Sequence, residues 1–157
     1  GESDPAAATA ASNAAASAGY MVGVGRGMGG PVQVHLSAVR KFDSLVLQSS
    51  PDSIAAVLAD SLPFAGWLVR SSLPSRFDVV AEAGNYTGGC VLQSQPADDA
   101  VIPMSRADAL RDAIPASENE CSVWQPLEGQ GHDDPMSDAE RSALADFIVA
   151  ERARLVA

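Results

Sequence analysis

Aromatic side chains are scarce in this chain, at 5% of 157 residues: Tyr20, Phe42, Phe64, Trp67, Phe77, Tyr86, Trp124 and Phe147. A core of Ala, Val and Leu is implied, with close packing of elements rather than a large aromatic pocket. Lysine is nearly absent, since Lys41 is the only one among ten cationic residues. No stretch approaches the roughly 20 apolar residues of a membrane helix, because Asp60, Pro63 and Arg70 interrupt the most apolar region. Direct membrane insertion is not expected. Positive charge is also in deficit: the formal net charge is −10, and residues 77 to 157 hold fifteen acids against five bases. Such a surface repels nucleic acid phosphates and anionic lipid, and suits solubility, a basic protein partner or a cation. Catalytic signatures are missing as well, for neither a Gly-x-Ser-x-Gly elbow nor a Ser-x-x-Lys pair emerges as a site.

What remains is enough for one domain, because a chain of this length buries roughly 70% of its unfolded surface. The first residues, GESDPAAATAASNAAASAG, are small and polar, as after removal of a signal peptide. Export to the periplasm or secretion is the corresponding expectation. Cys90 and Cys121 are an even pair and read most simply as a disulfide. Closing a loop of about 32 residues, the bridge would contribute roughly 3 to 4 kcal/mol on the chain-entropy model.

The pattern divides the chain into an Ala-rich arm at 1–19, a Gly-rich extended linker at 20–30 and a globular domain at 31–157. In PVQVHLSAVRKFDSLVLQSS, Val32, Leu36, Val39, Phe42 and Val46 fall at helical spacing. Ser50-Pro51-Asp52 then caps a second helix running to about Ser61. FDVVAEA and CVLQS, separated by GNYTGG, read as a β-hairpin over about 77–94. A short helix follows Ser105 and ends before Pro115. The last helix, about 138–155, opens on Ser137-Asp138-Ala139-Glu140, a capping box. The expected fold class is therefore α+β: a mainly helical small domain with one hairpin and a capped C-terminal helix.

The chemistry-bearing candidates are few. Read from Gly25, GVGRGMGGP fits G-x-G-x-x-G, and Asp43 lies 18 residues on, but the helical spacing places Asp43 inside a helix and not at a strand tip. The same segment sets Gly23, Gly25, Gly27 and Gly29 at every second position. In an extended chain they share one face, which lets another backbone, internal or from a partner, approach closely. Cys90 with His132 supplies the residue types of a thiol nucleophile and its base, with Asp133 or Asp134 to orient the imidazole. Glu128, His132, Asp133, Asp134 and Asp138 supply ligands for a hard cation, though without EF-hand spacing. The acids before the last helix also favour its N-terminus. His35 reads as a packed helix residue, and Asn85-Tyr86-Thr87 matches the glycosylation sequon by letters.

Taken together, the sequence points to an exported, non-catalytic accessory subunit without a cofactor or resident metal. It would contact a protein partner or further copies of itself through the Ala/Gly-rich arm and the acidic C-terminal half. A thiol hydrolase or transferase using Cys90, His132 and Asp133 is one alternative; a cation-binding module using Glu128, His132, Asp133 and Asp134 is the other.

Overall fold

The computed structural model describes residues 19–62, 64–72, 79–115 and 121–156. Four strands, β1 (Val22–Arg26), β2 (Ser44–Gln48), β3 (Val91–Pro96) and β4 (Val123–Leu127), form one sheet in the order β1-β2-β3-β4. Every neighbouring pair is parallel, with Val24 opposite Val46, Val46 opposite Leu92 and Leu92 opposite Val123. Six helices connect or follow them: α1 (Gly29–Val39), α2 (Ile54–Asp60), α3 (Gly66–Ser72), α4 (Val79–Ala83), α5 (Met104–Ala113) and α6 (Asp138–Val156).

The two central strands explain the architecture. Every residue of SLVLQ and of VLQSQP is buried, as expected of parallel strands covered on both faces. On one face, Leu45, Leu47 and Val91 pack with Val34 of α1, Val79 and Ala83 of α4 and Leu110 of α5. On the other, Val46, Cys90 and Leu92 pack with Leu144, Phe147 and Ile148 of α6. The chain is thus a three-layer α/β arrangement whose parallel strands all end on the same edge.

This corrects the expectation of a mainly helical α+β domain with a hairpin over 77–94. Val79–Ala83 is a helix, and Val91–Pro96 is a central strand bonded to β2 and β4 in parallel. The cause is tertiary: the β-branched Val79 and Val80 suggest a strand, but Val79 and Ala83, four residues apart, are buried together against the sheet by a helix, and a short apolar run fits either template. The same ambiguity hid β2, because Val46 continues the helical spacing of Val32, Leu36, Val39 and Phe42. The closing helix runs Asp138–Val156, and the Glu140 N–H donates to the Ser137 hydroxyl at 3.2 Å. Instead of completing a capping box, the Glu140 carboxylate is buried and accepts from Gln48 Nε2 and the Ser94 hydroxyl, each at 3.0 Å. It fastens α6 to the sheet. Apart from Gly19, the arm expected at 1–19 lies outside the described residues.

Two ties fix the ends of the sheet. Cys90, just before β3, and Cys121, just before β4, are disulfide-bonded with Cα atoms 5.3 Å apart. At the opposite end Arg106 of α5 reaches Asp52 at 3.1 Å and Asp60 of α2 at 2.7 Å. Partial burial works against the Arg106 charge, but the hydrogen bonds to Asp60 and Asp52 outweigh it and raise its pKa.

Candidate functional site

The carboxyl ends of β1, β3 and β4 converge on a single group. β1 leaves the sheet through Gly25-Arg26-Gly27-Met28-Gly29 and turns sharply into α1. Gly27 sits at φ +53°, its N–H donating to the Gln48 carbonyl at 2.8 Å and its carbonyl accepting from the Gly30 N–H at 3.1 Å. Strand and helix lie almost in contact behind this turn. A Cβ on Gly25 would stand 2.5 Å from the Gly29 carbonyl oxygen and 2.7 Å from the Gly30 Cα, so a side chain there is excluded.

In front of the turn stands His132, in the loop after β4. A Cβ on Gly27 would lie 3.8 Å from both Cε1 and Nε2 of its imidazole, the contacts within 4 Å among the described residues beyond its chain neighbours. On the far side of the ring, Nδ1 meets Asp99 Oδ2 at 2.9 Å. Asp99, in the turn after β3, has a fully buried side chain. It also accepts from the Val101 N–H at 2.9 Å, the Ile102 N–H at 2.7 Å and Gln95 Nε2 at 3.2 Å. A carboxylate held this way only accepts, so it assigns the ring proton to Nδ1 and leaves the Nε2 lone pair toward Gly27. Arg26 secures the loop from below, donating to the carbonyl of His132 at 2.9 Å and of Asp134 at 2.6 Å. The Met28 N–H, first amide beyond Gly27, lies at the N-terminus of α1, where the helix dipole favours negative charge.

The sequence candidates are distributed differently. Cys90 is buried, disulfide-bonded and at the amino end of the six-residue β3, whereas His132 follows the carboxyl end of β4. The structure does not bring them together. Asp99, and not Asp133 or Asp134, orients His132; Asp134 accepts from the Gly131 N–H at 2.8 Å. Glu128, His132, Asp133 and Asp134 do not gather their ligand atoms at one point. Among the described residues the group of three within ligating range is Cys90, Cys121 and Glu151, and its sulfurs are bonded to each other. Asp43 immediately precedes β2 and accepts from the Met21 N–H at 2.7 Å, at the end of the sheet away from Gly27.

Of the alternating glycines, Gly23 and Gly25 are strand residues facing inward, and a Cβ on Gly23 would meet Leu45 at 2.7 Å. Gly27 is the turn, and Gly29 begins α1 with open space around it. His35 is half exposed and pairs with Glu82 at 3.1 Å.

No family model and no curated protein sequence matches the chain. Solved structures do. A putative non-heme bromoperoxidase from Mycobacterium tuberculosis superposes with a TM-score of 0.60 at 16% identity, over 92% of this chain and 72% of that one. Acetyl xylan esterase 1 from Thermoanaerobacterium sp. gives 0.60 at 17% identity, over 87% of this chain and 45% of that one. Zea mays acyl-protein thioesterase 2 gives 0.54 at 14% identity, over 94% and 64%. This chain therefore spans about half to three quarters of their lengths. At such identities the likeness shows the fold alone, and that fold is of the α/β-hydrolase type. In this fold the nucleophilic serine occupies a strained strand-to-helix turn, and the triad follows in the order serine, acid, histidine. In this chain Gly27, Asp99 and His132 follow one another in sequence, and the residue at the strand-to-helix turn is a glycine.

Proposed function

We propose that this chain is a ligand-binding protein of the α/β-hydrolase type that keeps an oriented base and an oxyanion-type amide but has no side-chain nucleophile, so that it does not form an acyl-enzyme. One observation carries the reading: the empty space over Gly27 faces Nε2 of a histidine whose other nitrogen is held by a buried aspartate. A seryl hydroxyl built there would come within the 2.6–3.2 Å reach expected between nucleophile and base. Its loss removes the covalent step, and loss of a single triad member costs about 10⁴ to 10⁶ in turnover. The ligand class is a carbonyl compound such as an ester or thioester, whose oxygen the Met28 N–H can receive.

An accessory role in a protein assembly agrees with the missing nucleophile. Its support in the structure is the region of α2 and α3 after β2, where Leu58 of α2, Trp67 and Leu68 of α3, and Leu62 and Phe64 from outside either helix are exposed; apolar groups of this size mark contact surfaces. The cystine supports an oxidising compartment, and hence export. The ligand reading is tested by following the His132 ring resonances by NMR while short-chain esters and their non-hydrolysable ketone analogues are titrated in. The expected result is a saturable shift of His132 with His35 unmoved. Equal shifts of both histidines, or none, would contradict it.

A further inference from the structure

The missing side chain leaves a space, and what fills that space decides whether the site is inert. The space over Gly27 is bounded by the turn backbone and by Nε2 and Cε1 of His132, each 3.8 Å from the Cβ locus, and among the described residues outside the turn's own Arg26-Gly27-Met28 no other atom comes within 4 Å. An ordered water needs two or more polar partners, and His132 Nε2 and the Met28 N–H are the groups at this turn that can serve. His132 has what a general base requires: a ring nitrogen, Nε2, 3.8 Å from the Gly27 Cβ locus and an aspartate 2.9 Å from its other nitrogen. The carboxylate is also preserved in full, with two backbone N–H donors and the Gln95 amide, although no serine is present to be activated.

We propose that the attacking group in this site is water itself, positioned where a serine side chain would stand, so that the protein hydrolyses carboxylic esters or thioesters by single displacement without an acyl-enzyme. The inference rests on the binding reading above. In the forward step a water O–H gives its proton to His132 Nε2 while its oxygen bonds to the ligand carbonyl carbon, and the carbonyl π pair moves to oxygen beside the Met28 N–H. Collapse of this intermediate breaks the bond to the leaving alkoxide or thiolate, which takes the proton back from His132. The products are a carboxylic acid and an alcohol or thiol; no oxidant, reductant or second protein group is consumed.

The experiment compares the native chain, Gly27→Ala, Gly27→Ser, His132→Gln and His35→Gln on p-nitrophenyl acetate and an acetyl thioester, with intact-mass detection and thermal melts of every variant. Native turnover is expected to be linear without a burst and without a mass adduct, about 10²-fold lower in His132→Gln and unchanged in His35→Gln. Gly27→Ala, whose methyl displaces the water, should fall at least tenfold while melting cooperatively. Gly27→Ser should trade linear turnover for a burst and an acetyl adduct. Native turnover independent of His132, or a folded Gly27→Ala as fast as the native chain, overturns the water mechanism and leaves the binding reading standing if Gly27→Ser is acylated. An adduct on the native chain, or a folded Gly27→Ser that is never acylated, overturns the binding reading.

Discussion

At residue 27 a glycine does two things that one side chain could not. It relieves a φ of +53°, which in a non-glycine residue stores about 1–3 kcal/mol, and it opens the locus in front of His132. Gly27→Ser is therefore expected to lower unfolding stability by about 1–2 kcal/mol in urea, the strain being partly offset by reduced freedom of the unfolded chain. An increase in stability would show that the turn is not strained. Tyr20 makes a separate prediction. Its hydroxyl meets the Ser44 hydroxyl at 2.7 Å, and its pKa is raised by burial, with the nearby Glu151 and Asp43 adding to burial and the Ser44 hydrogen bond opposing it. The folded state thus holds the phenolic proton more tightly than the unfolded state. The stability this contributes is complete below the unfolded value near 10 and is lost as pH rises through the folded value. Tyr20→Phe should flatten the alkaline limb of the stability profile above about pH 10.

Among the elements, the loop after β4 does more for the site than its acidic composition suggests. Arg26, the last residue of β1, binds the carbonyls of His132 and Asp134, so the strand carrying the turn also holds the histidine that faces it. Arg26→Ala should cost less than about 1 kcal/mol of global stability, since both bonds are exposed. In a Gly27→Ser background it should slow acylation at least tenfold, measured by the rate of adduct formation. Equal rates would mean that Asp99 alone positions the ring.

This is also the scale on which the sequence was hardest to read. The capped last helix and the helix after Pro31 were legible from period and caps. β2 was not, because buried on both faces it lacks alternation; β3 reads as a strand, but its parallel pairing with β2 and β4, in place of a hairpin, is set by the sheet. Asp99 escaped notice because it lies 33 residues from His132 and only the sheet brings them together. GRGMG was visible as a glycine pattern, yet its meaning depends on a strand before it, a helix after it, and a histidine more than a hundred residues later. The glycine-rich turn GRGMG, followed along the chain by Asp99 and then His132, is the sequence signal that bears on the site.

In the whole molecule, the sheet separates stabilising and chemical features by its two ends. The cystine joins β3 and β4 where they begin, and the Asp99–His132 pair sits where they finish. Reduction of the Cys90–Cys121 bond is expected to remove about 2–4 kcal/mol of stability while leaving the ester-induced shift of His132 intact below the new melting point. Loss of that shift in a still folded, reduced chain would show that the two ends are coupled. On the proposed reading, this chain holds an oriented base opposite an empty nucleophile position. The most direct measurement is the intact mass of the native and Gly27→Ser chains after exposure to a fluorophosphonate, with Gly27→Ser/His132→Gln as control. No adduct is expected on the native chain, one stoichiometric adduct is expected at position 27 of Gly27→Ser, and labelling should be slowed about 10²-fold or more in the double variant. Labelling of the native chain, or a folded Gly27→Ser that reacts no faster than its His132→Gln partner, would contradict it.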